Sequence, residues 1–172
     1  SLVIENNYES PCDFEGKKQK LISLLSATAT AYFNVNLISY IPEKFNIGRL
    51  PCFDCRIFEV PNADEASNAV LWREKDAIKN SVSMVAQHYF SHKELQGVKS
   101  DVMKDMLKTQ KNVVWENQPK FFKCGTFLKR KKFTKSVNGF ECIRTKVSEV
   151  DVVLGEMEHE DRKDFIMSKH TC

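Results

Sequence analysis

Apolar residues recur at helical spacing along three stretches of this chain and alternate with polar ones along others. Between Ala66 and Phe90, Leu71, Ile78, Val82, Val85 and Tyr89 fall on one side of a helix that turns by roughly 100° per residue. Arg73, Asp76, Asn80, Ser83 and Gln87 fall on nearly the opposite side. The apolar side calls for burial. The polar side holds mostly short hydrogen-bonding residues that are mediocre helix formers, whereas Glu74, Lys75 and Lys79 lie off that line and read as expendable. Asn62 and Asp64 both offer oxygens to cap this helix, which is expected to break near Asp76 to Asn80, where helix formers thin out. A helix is also expected from Lys17 to Asn36, with Leu21, Leu24, Leu25, Thr28 and Tyr32 inward, and another from Ser100 to Thr109, with Val102, Met103, Met106 and Leu107 inward.

Strand patterns fill most of the rest. Ser1-Leu2-Val3-Ile4 reads as the apolar run of a buried strand, and FDCRIFEV, Phe53 to Val60, alternates before a Pro61-Asn62 stop. A basic strand from Thr126 to Phe133 is followed by an Asn138-Gly139 turn and the strand-like run FECIRTKVSEVDVVL. The order β, α, β, α, α, β, β indicates an α+β fold, with helices on one face of a mostly antiparallel sheet and a C-terminal hairpin. The chain has 172 residues, enough for one sizeable core. The opening strand has no lead-in and no initiator Met, so the sequence is expected to start inside a fold.

Composition narrows the setting. No apolar run approaches the ~20 residues needed to cross a bilayer, and the first residues lack the charged and apolar regions of a secretory signal. The six cysteines are therefore expected to be reduced thiols in the cytoplasm. Cys52 and Cys55 have CxxC spacing and Cys124 with Cys142 could complete four ligands, but the second pair is spread over seventeen residues and no knuckle glycine lies between the first. His88 and His92 stand one helical turn apart without an evident third ligand. The net charge of +3 hides a basic run from Lys120 to Lys135, interleaved with Phe121, Phe122, Phe127 and Phe133, and an acidic tail after it. Such a run suits phosphate-bearing partners, or equally guards a hairpin edge against aggregation. No phosphate-cradling glycine loop is present, so a nucleotide must be held by side chains or helix ends. The polar stripe could be a solvated face whose Arg73 and Asp76 form an ion pair worth a few tenths of a kcal/mol. Its continuation for four turns is what a surface reading a polar partner requires.

These residues also carry a family likeness. Trp72-Arg73-x-x-Asp76-x-x-x-Asn80-Ser81, Ala86-Gln87, Tyr89-Phe90-Ser91-His92-Lys93-Glu94-Leu95-x-Gly97 and Phe122-Lys123-x-Gly125-Thr126 resemble the tRNA-His guanylyltransferase family, especially its bacterial and phage "Thg1-like" members. The likeness extends over FDCRIFEVPN and the helix before it. It implies a polymerase-palm-like, ferredoxin-like sheet, here partial, and a 3′-to-5′ nucleotidyltransferase that adds nucleotides to the 5′ end of tRNA after activation by GTP or ATP. It further implies two Mg²⁺ ions held by aspartates, because two-metal chemistry needs carboxylates to place ions on the attacking and leaving oxygens. In the family those aspartates precede the strand that Ser1 to Ile4 resembles, so no catalytic or metal residue is assigned within this chain. The resemblance carries over Arg73, Asp76 and Asn80 as matched polar residues on the nucleotide and RNA side, with His92, Lys93 and Lys123 as expected phosphate or RNA contacts; Asp76 is assigned on our own reading to orient Arg73 rather than to hold a metal. Lys129, Arg130, Lys131 and Lys132 are expected on the RNA backbone. Ile78 stands where tRNA-His enzymes carry a histidine, which points to 5′-end repair of truncated tRNA rather than strict G−1 addition. Residues 1–136 then form the C-terminal portion of a palm domain with its helical and basic extension, and 137–172 a segment without an assigned role. The complete protein is expected to be a cytoplasmic homotetramer; the competing reading is a non-catalytic RNA-binding remnant or oligomerisation fragment.

Overall fold

A computed structural model of the chain describes residues 17–40, 50–137, 140–168 and 170–171. The expected strand at Ser1 to Ile4 and the expected turn at Asn138-Gly139 lie outside the described residues. The chain divides into two compact units, one running through Val60 and the other from Pro61 to Cys172.

In the first unit, α1 spans Lys18–Tyr40, four residues beyond its expected end at Asn36. Leu21 is buried, whereas Leu24, Leu25 and Tyr32 from the expected inner side are exposed. The segment Phe53 to Val60 is not a strand. Alternation supplies the side-chain pattern of a strand, but a ladder also needs a neighbour for its N–H and C=O groups, and none of the described strands pairs with this segment. Its start is anchored on α1 instead. Asn34 Nδ2 donates to the Pro51 carbonyl at 2.9 Å, the Phe53 N–H donates to Thr30 Oγ1 at 3.0 Å, and the Phe33 and Phe53 rings meet edge to face at 5.2 Å.

The second unit is organised around α2, Ala63–Tyr89. Asn62 caps it by accepting from the Glu65 N–H at 2.9 Å. The expected break near Asp76 to Asn80 does not occur. The poor helix formers satisfy themselves on the helix: Ser81 Oγ donates to the Ile78 carbonyl, Ser83 Oγ to that of Lys79, and Asn80 Nδ2 to Asp76. Four more helices follow, α3 (His92–Leu95), α4 (Ser100–Lys111), α5 (Lys120–Cys124) and α6 (His159–Met167). The turn before α3 is closed by a capping box in which Ser91 N–H and Oγ each donate to Glu94 Oε2 at 2.7 Å. Those bonds hold the Glu94 carboxyl below its usual range.

The core joins Val82, Ala86 and Phe90 of α2 and its exit to Leu95, Met103, Leu107 and Trp115, with Ile78, Val85, Val98, Met106 and Val113 around them. Val102, expected inside, is exposed. It lies roughly 120° round α4 from the midpoint of Met103 and Leu107, which set the buried face.

A hairpin completes the unit. Strand β1 (Phe127–Val137) pairs antiparallel with β2 (Phe140–Val150) from Phe127↔Val150 to Val137↔Phe140, and β3 (His170–Thr171) runs parallel to β1 beside Arg130 and Lys131. The mixture of helices with an antiparallel sheet is the α+β class that the pattern indicates. Phe127 and Phe165 bring the base of the hairpin against α6 edge to face, 5.8 Å apart.

One face of α2 carries a buried polar line that the hydrophobic pattern conceals. Ser67, Glu74 and Ser81, seven residues apart, are all buried. Glu74, read from sequence as expendable, is the most constrained of them: its Oε2 accepts from the Leu154 N–H and its Oε1 from the Gly155 N–H, each at 2.9 Å. Ser81 Oγ accepts from the Trp115 indole N–H at 3.2 Å. The line therefore fastens chain from 34 and from 80 residues downstream onto α2.

Candidate functional site

The polar stripe on α2 opens onto a groove of roughly 410 Å³, lined by Arg73, Asp76, Ala77, Asn80, Ser81 and Met84 from α2 and by Phe121 and Phe122 from α5. Helical spacing alone places Arg73, Asp76 and Asn80 along one edge. Asp76 ties them together, since its Oδ2 accepts from Arg73 Nη1 at 3.1 Å and from Asn80 Nδ2 at 3.3 Å. A guanidinium has five N–H donors, so this pairing fixes Arg73 while leaving donors for an anion. The Arg73 and Asp76 side chains are 56% and 36% exposed, and at that exposure the pair adds little to stability. Its consequence is orientation. Across the groove Phe121 of α5 is 67% exposed, and Met84, one turn beyond Asn80 on α2, is 61% exposed. An oriented cation beside an apolar, aromatic wall can take a ligand with an anionic end and a planar end.

Not every expected residue joins the groove. Ser83 and Gln87, further along the stripe, do not line it. Lys123 follows Phe122, yet its ammonium turns away, donating to the Glu116 carbonyl at 2.6 Å and lying 5.4 Å from the Trp115 ring. His92 and Lys93 are exposed on the first turn of α3 and are not among the lining residues.

The basic run is divided by the hairpin. Lys129 folds under α6, where its ammonium donates to the carbonyls of Phe165, Ile166 (3.1 Å) and Ser168 (2.7 Å). A cation at a helix C-terminus offsets the partial negative charge there, while burial pulls its pKa below the usual lysine value. Arg130, Lys131 and Lys132 are exposed, and strand alternation puts Lys131 on one face and Arg130 and Lys132 on the other.

Metal-ligating side chains converge at one place among the described residues. Asp64, His159 and Glu160 bring donor atoms within 4.8 Å of one another. Lys163 already supplies the positive charge there, with Nζ 3.3 Å from Asp64 Oδ1 and 2.5 Å from Glu160 Oε2. The hydrogen bond from Lys163 leads the causes that lower the Asp64 pKa. With an ammonium between its carboxylates, this cluster does not fit a catalytic divalent ion. Asp76 is engaged by Arg73 and Asn80 and does not fit one either.

Sequence reasoning did not single out Met84, and it did not place Phe121 and Phe122 beside the α2 stripe. From sequence they read as aromatics interleaved in the basic run after a Pro119 turn, and the helix α5 that follows that turn lays them beside α2.

The chain is also similar to known proteins. The family model described as tRNAHis guanylyltransferase (Thg1) matches residues 1–61. An uncharacterised protein of Acanthamoeba polyphaga mimivirus is 28% identical over 130 residues, covering 68% of this chain and 44% of its own length. The tRNA(His) guanylyltransferase of Saccharomyces cerevisiae is 28% identical over 131 residues, covering 69% of this chain and 54% of its own. The chain thus spans about half the length of each of these relatives. Among solved structures, a bacterial tRNA(His) guanylyltransferase-like protein in complex with ATP superposes with a TM-score of 0.67 at 32% identity, covering 94% of this chain and 65% of that one.

Proposed function

We propose that this chain, which is similar to tRNA-His guanylyltransferases, is part of a 3′-to-5′ nucleotidyltransferase that extends the 5′ end of tRNA or a tRNA-like RNA, using ATP or GTP to activate that end. The observation that carries this reading is the Arg73, Asp76 and Asn80 edge facing Phe121 and Phe122 across one groove, in a fold shared with a protein that binds ATP. Arg73 supplies the charge for a phosphate, Asp76 holds it in place, and Asn80 offers the remaining hydrogen-bonding capacity of its amide. His92, Lys93 and Lys123 contribute cationic potential around the groove rather than lining it, and the basic hairpin contacts RNA.

The chemistry also requires carboxylates for two Mg²⁺ ions, which would supply charge stabilisation at the transferring phosphorus. The carboxylate groups described above do not fit those ions, so we assign them to the portion of the family's palm that precedes the segment matched here. The complete protein is then a cytoplasmic homotetramer, with residues 1–136 as its guanylyltransferase-like part. Ile78, where tRNA-His enzymes have histidine, favours repair of truncated 5′ ends over strict G−1 addition.

The test is incorporation of labelled nucleotide by the complete natural gene product into a tRNA lacking its first 5′ nucleotide, compared with tRNA-His. The expected result is addition of the nucleotide complementary to the 3′ strand. Addition to tRNA-His alone would remove the repair assignment. RNA binding with no turnover would replace the enzyme by a non-catalytic binding remnant, and neither binding nor turnover would leave an oligomerisation fragment.

A further inference from the structure

The register of β1 against β2 places side chains that the sequence holds far apart. Paired residues of an antiparallel ladder point to the same face, so Lys131 and Lys146, Phe133 and Arg144, and Lys135 and Cys142 share one face of the hairpin. Below these pairs that face is covered, with Phe127 against Phe165 and Lys129 under α6. Above Lys129, the exposed part carries Lys131, Lys135, Arg144 and Lys146 around Phe133, with no carboxylate from either strand. The opposite face pairs Leu128 with Glu149, Arg130 with Val147 and Ser136 with Glu141, so its cations are accompanied by acids.

Lys131 and Lys146 stand directly opposite each other, an arrangement that destabilises an isolated ladder. Among the described residues, none of the four cations forms an ion pair. The contact that is present is between Lys146 and the Phe133 ring, 5.9 Å from its centroid. Four uncompensated cations about an aromatic ring form a surface on which a phosphate backbone would release its counterions.

Resting on the tRNA reading above, we propose that this one face of the hairpin, formed by Lys131, Lys135, Arg144 and Lys146 with Phe133, is the RNA backbone contact, and that Arg130 and Lys132 on the other face are not part of it. Two of its cations come from β2, outside the basic run of the sequence. The face commits to RNA because its charge is unbroken and displayed along an extended arm, as a phosphate chain requires.

The experiment compares two variants of equal charge change, Lys131→Ser with Lys146→Ser, and Arg130→Ser with Lys132→Ser. For each, tRNA affinity is titrated at several salt concentrations, and ATP affinity is measured in parallel. The first variant is expected to bind tRNA about tenfold or more weakly, with a salt slope shallower by about two, one for each phosphate no longer neutralised. Its ATP affinity should be unchanged and its melting temperature no lower, since the Lys131 and Lys146 repulsion is gone. The second variant should bind tRNA within about twofold of the unmodified chain. Equal weakening in both variants would show an effect of net charge and overturn the face assignment. Unchanged tRNA binding in the first variant, with tRNA bound and ATP retained, would overturn the inference while leaving the proposed function standing. Failure of the unmodified chain to bind tRNA or ATP would remove that reading as well. Binding to phosphatidylserine vesicles in place of tRNA would replace RNA by a lipid surface.

Discussion

Glu74→Ala is expected to lower the stability of the Pro61 to Cys172 unit by about 2–4 kcal/mol, as two donors lose their acceptor at a cost of roughly 1–3 kcal/mol each, offset in part by water entering the gap. Glu74 is only 4% exposed, and both of its carboxylate oxygens are in use, accepting from the Leu154 and Gly155 N–H groups. Those donors belong to a single 3₁₀ turn, Leu154–Glu156, whose first residue is fully buried. Loss of the carboxylate would therefore loosen the link between β2 and α6 as well as the bonds themselves. Glu74→Gln should cost less, because one oxygen remains to accept while an amide N–H₂ replaces the other. Urea unfolding followed by Trp115 fluorescence measures both, with the exposed Trp72 contributing a nearly constant background. Equal midpoints for the alanine variant and the unmodified chain would mean that the turn is held by Leu154 burial alone.

Leu107→Ala is the second large effect, about 3–5 kcal/mol. The range for buried leucines reaches that high where the site cannot collapse, and Leu107 is fully buried among Val82, Ala86, Met103 and Trp115. Its backbone is held as firmly as its side chain. The Leu107 carbonyl accepts from the N–H groups of Asn112 and Val113, and Asn112 adopts the left-handed conformation that ends α4. The cavity would thus open at a place where the chain cannot shift to fill it. A Leu107→Met variant should lose less than about 1.5 kcal/mol. If both substitutions cost the same small amount, the cluster around α2 and α4 is not the core that holds this unit together.

What the sequence revealed and what it hid follow a physical division. Helices α2 and α4 and the hairpin were legible because their signals are local: apolar spacing, a capping asparagine, an Asn-Gly pair between alternating runs. The Arg73, Asp76 and Asn80 edge was legible for the same reason, since three residues on one helix face need nothing else to be neighbours. Glu74 was misread because its partners are 80 and 81 residues away, and a surface glutamate and a buried one look the same in a helical pattern. Phe53 to Val60 failed in the opposite way, having the right alternation but no ladder partner among the described residues. Lys129 and Arg144 show the limit for charge. Lys129, expected on the RNA backbone, is held by helix carbonyls, and Arg144 joins Lys131 and Phe133 on one face only through the register of β1 against β2.

Nucleotide binding in the α2 groove is measured by calorimetric titration of ATP into the unmodified chain and into Arg73→Ala. Binding is expected to weaken about 10- to 100-fold in the variant, the size of one charge-assisted contact, with an unchanged circular dichroism spectrum and urea midpoint, because Arg73 is more than half exposed. Equal affinity in the two proteins, or a loss of binding that parallels a loss of folding, would mean that Arg73 does not hold a nucleotide in this groove.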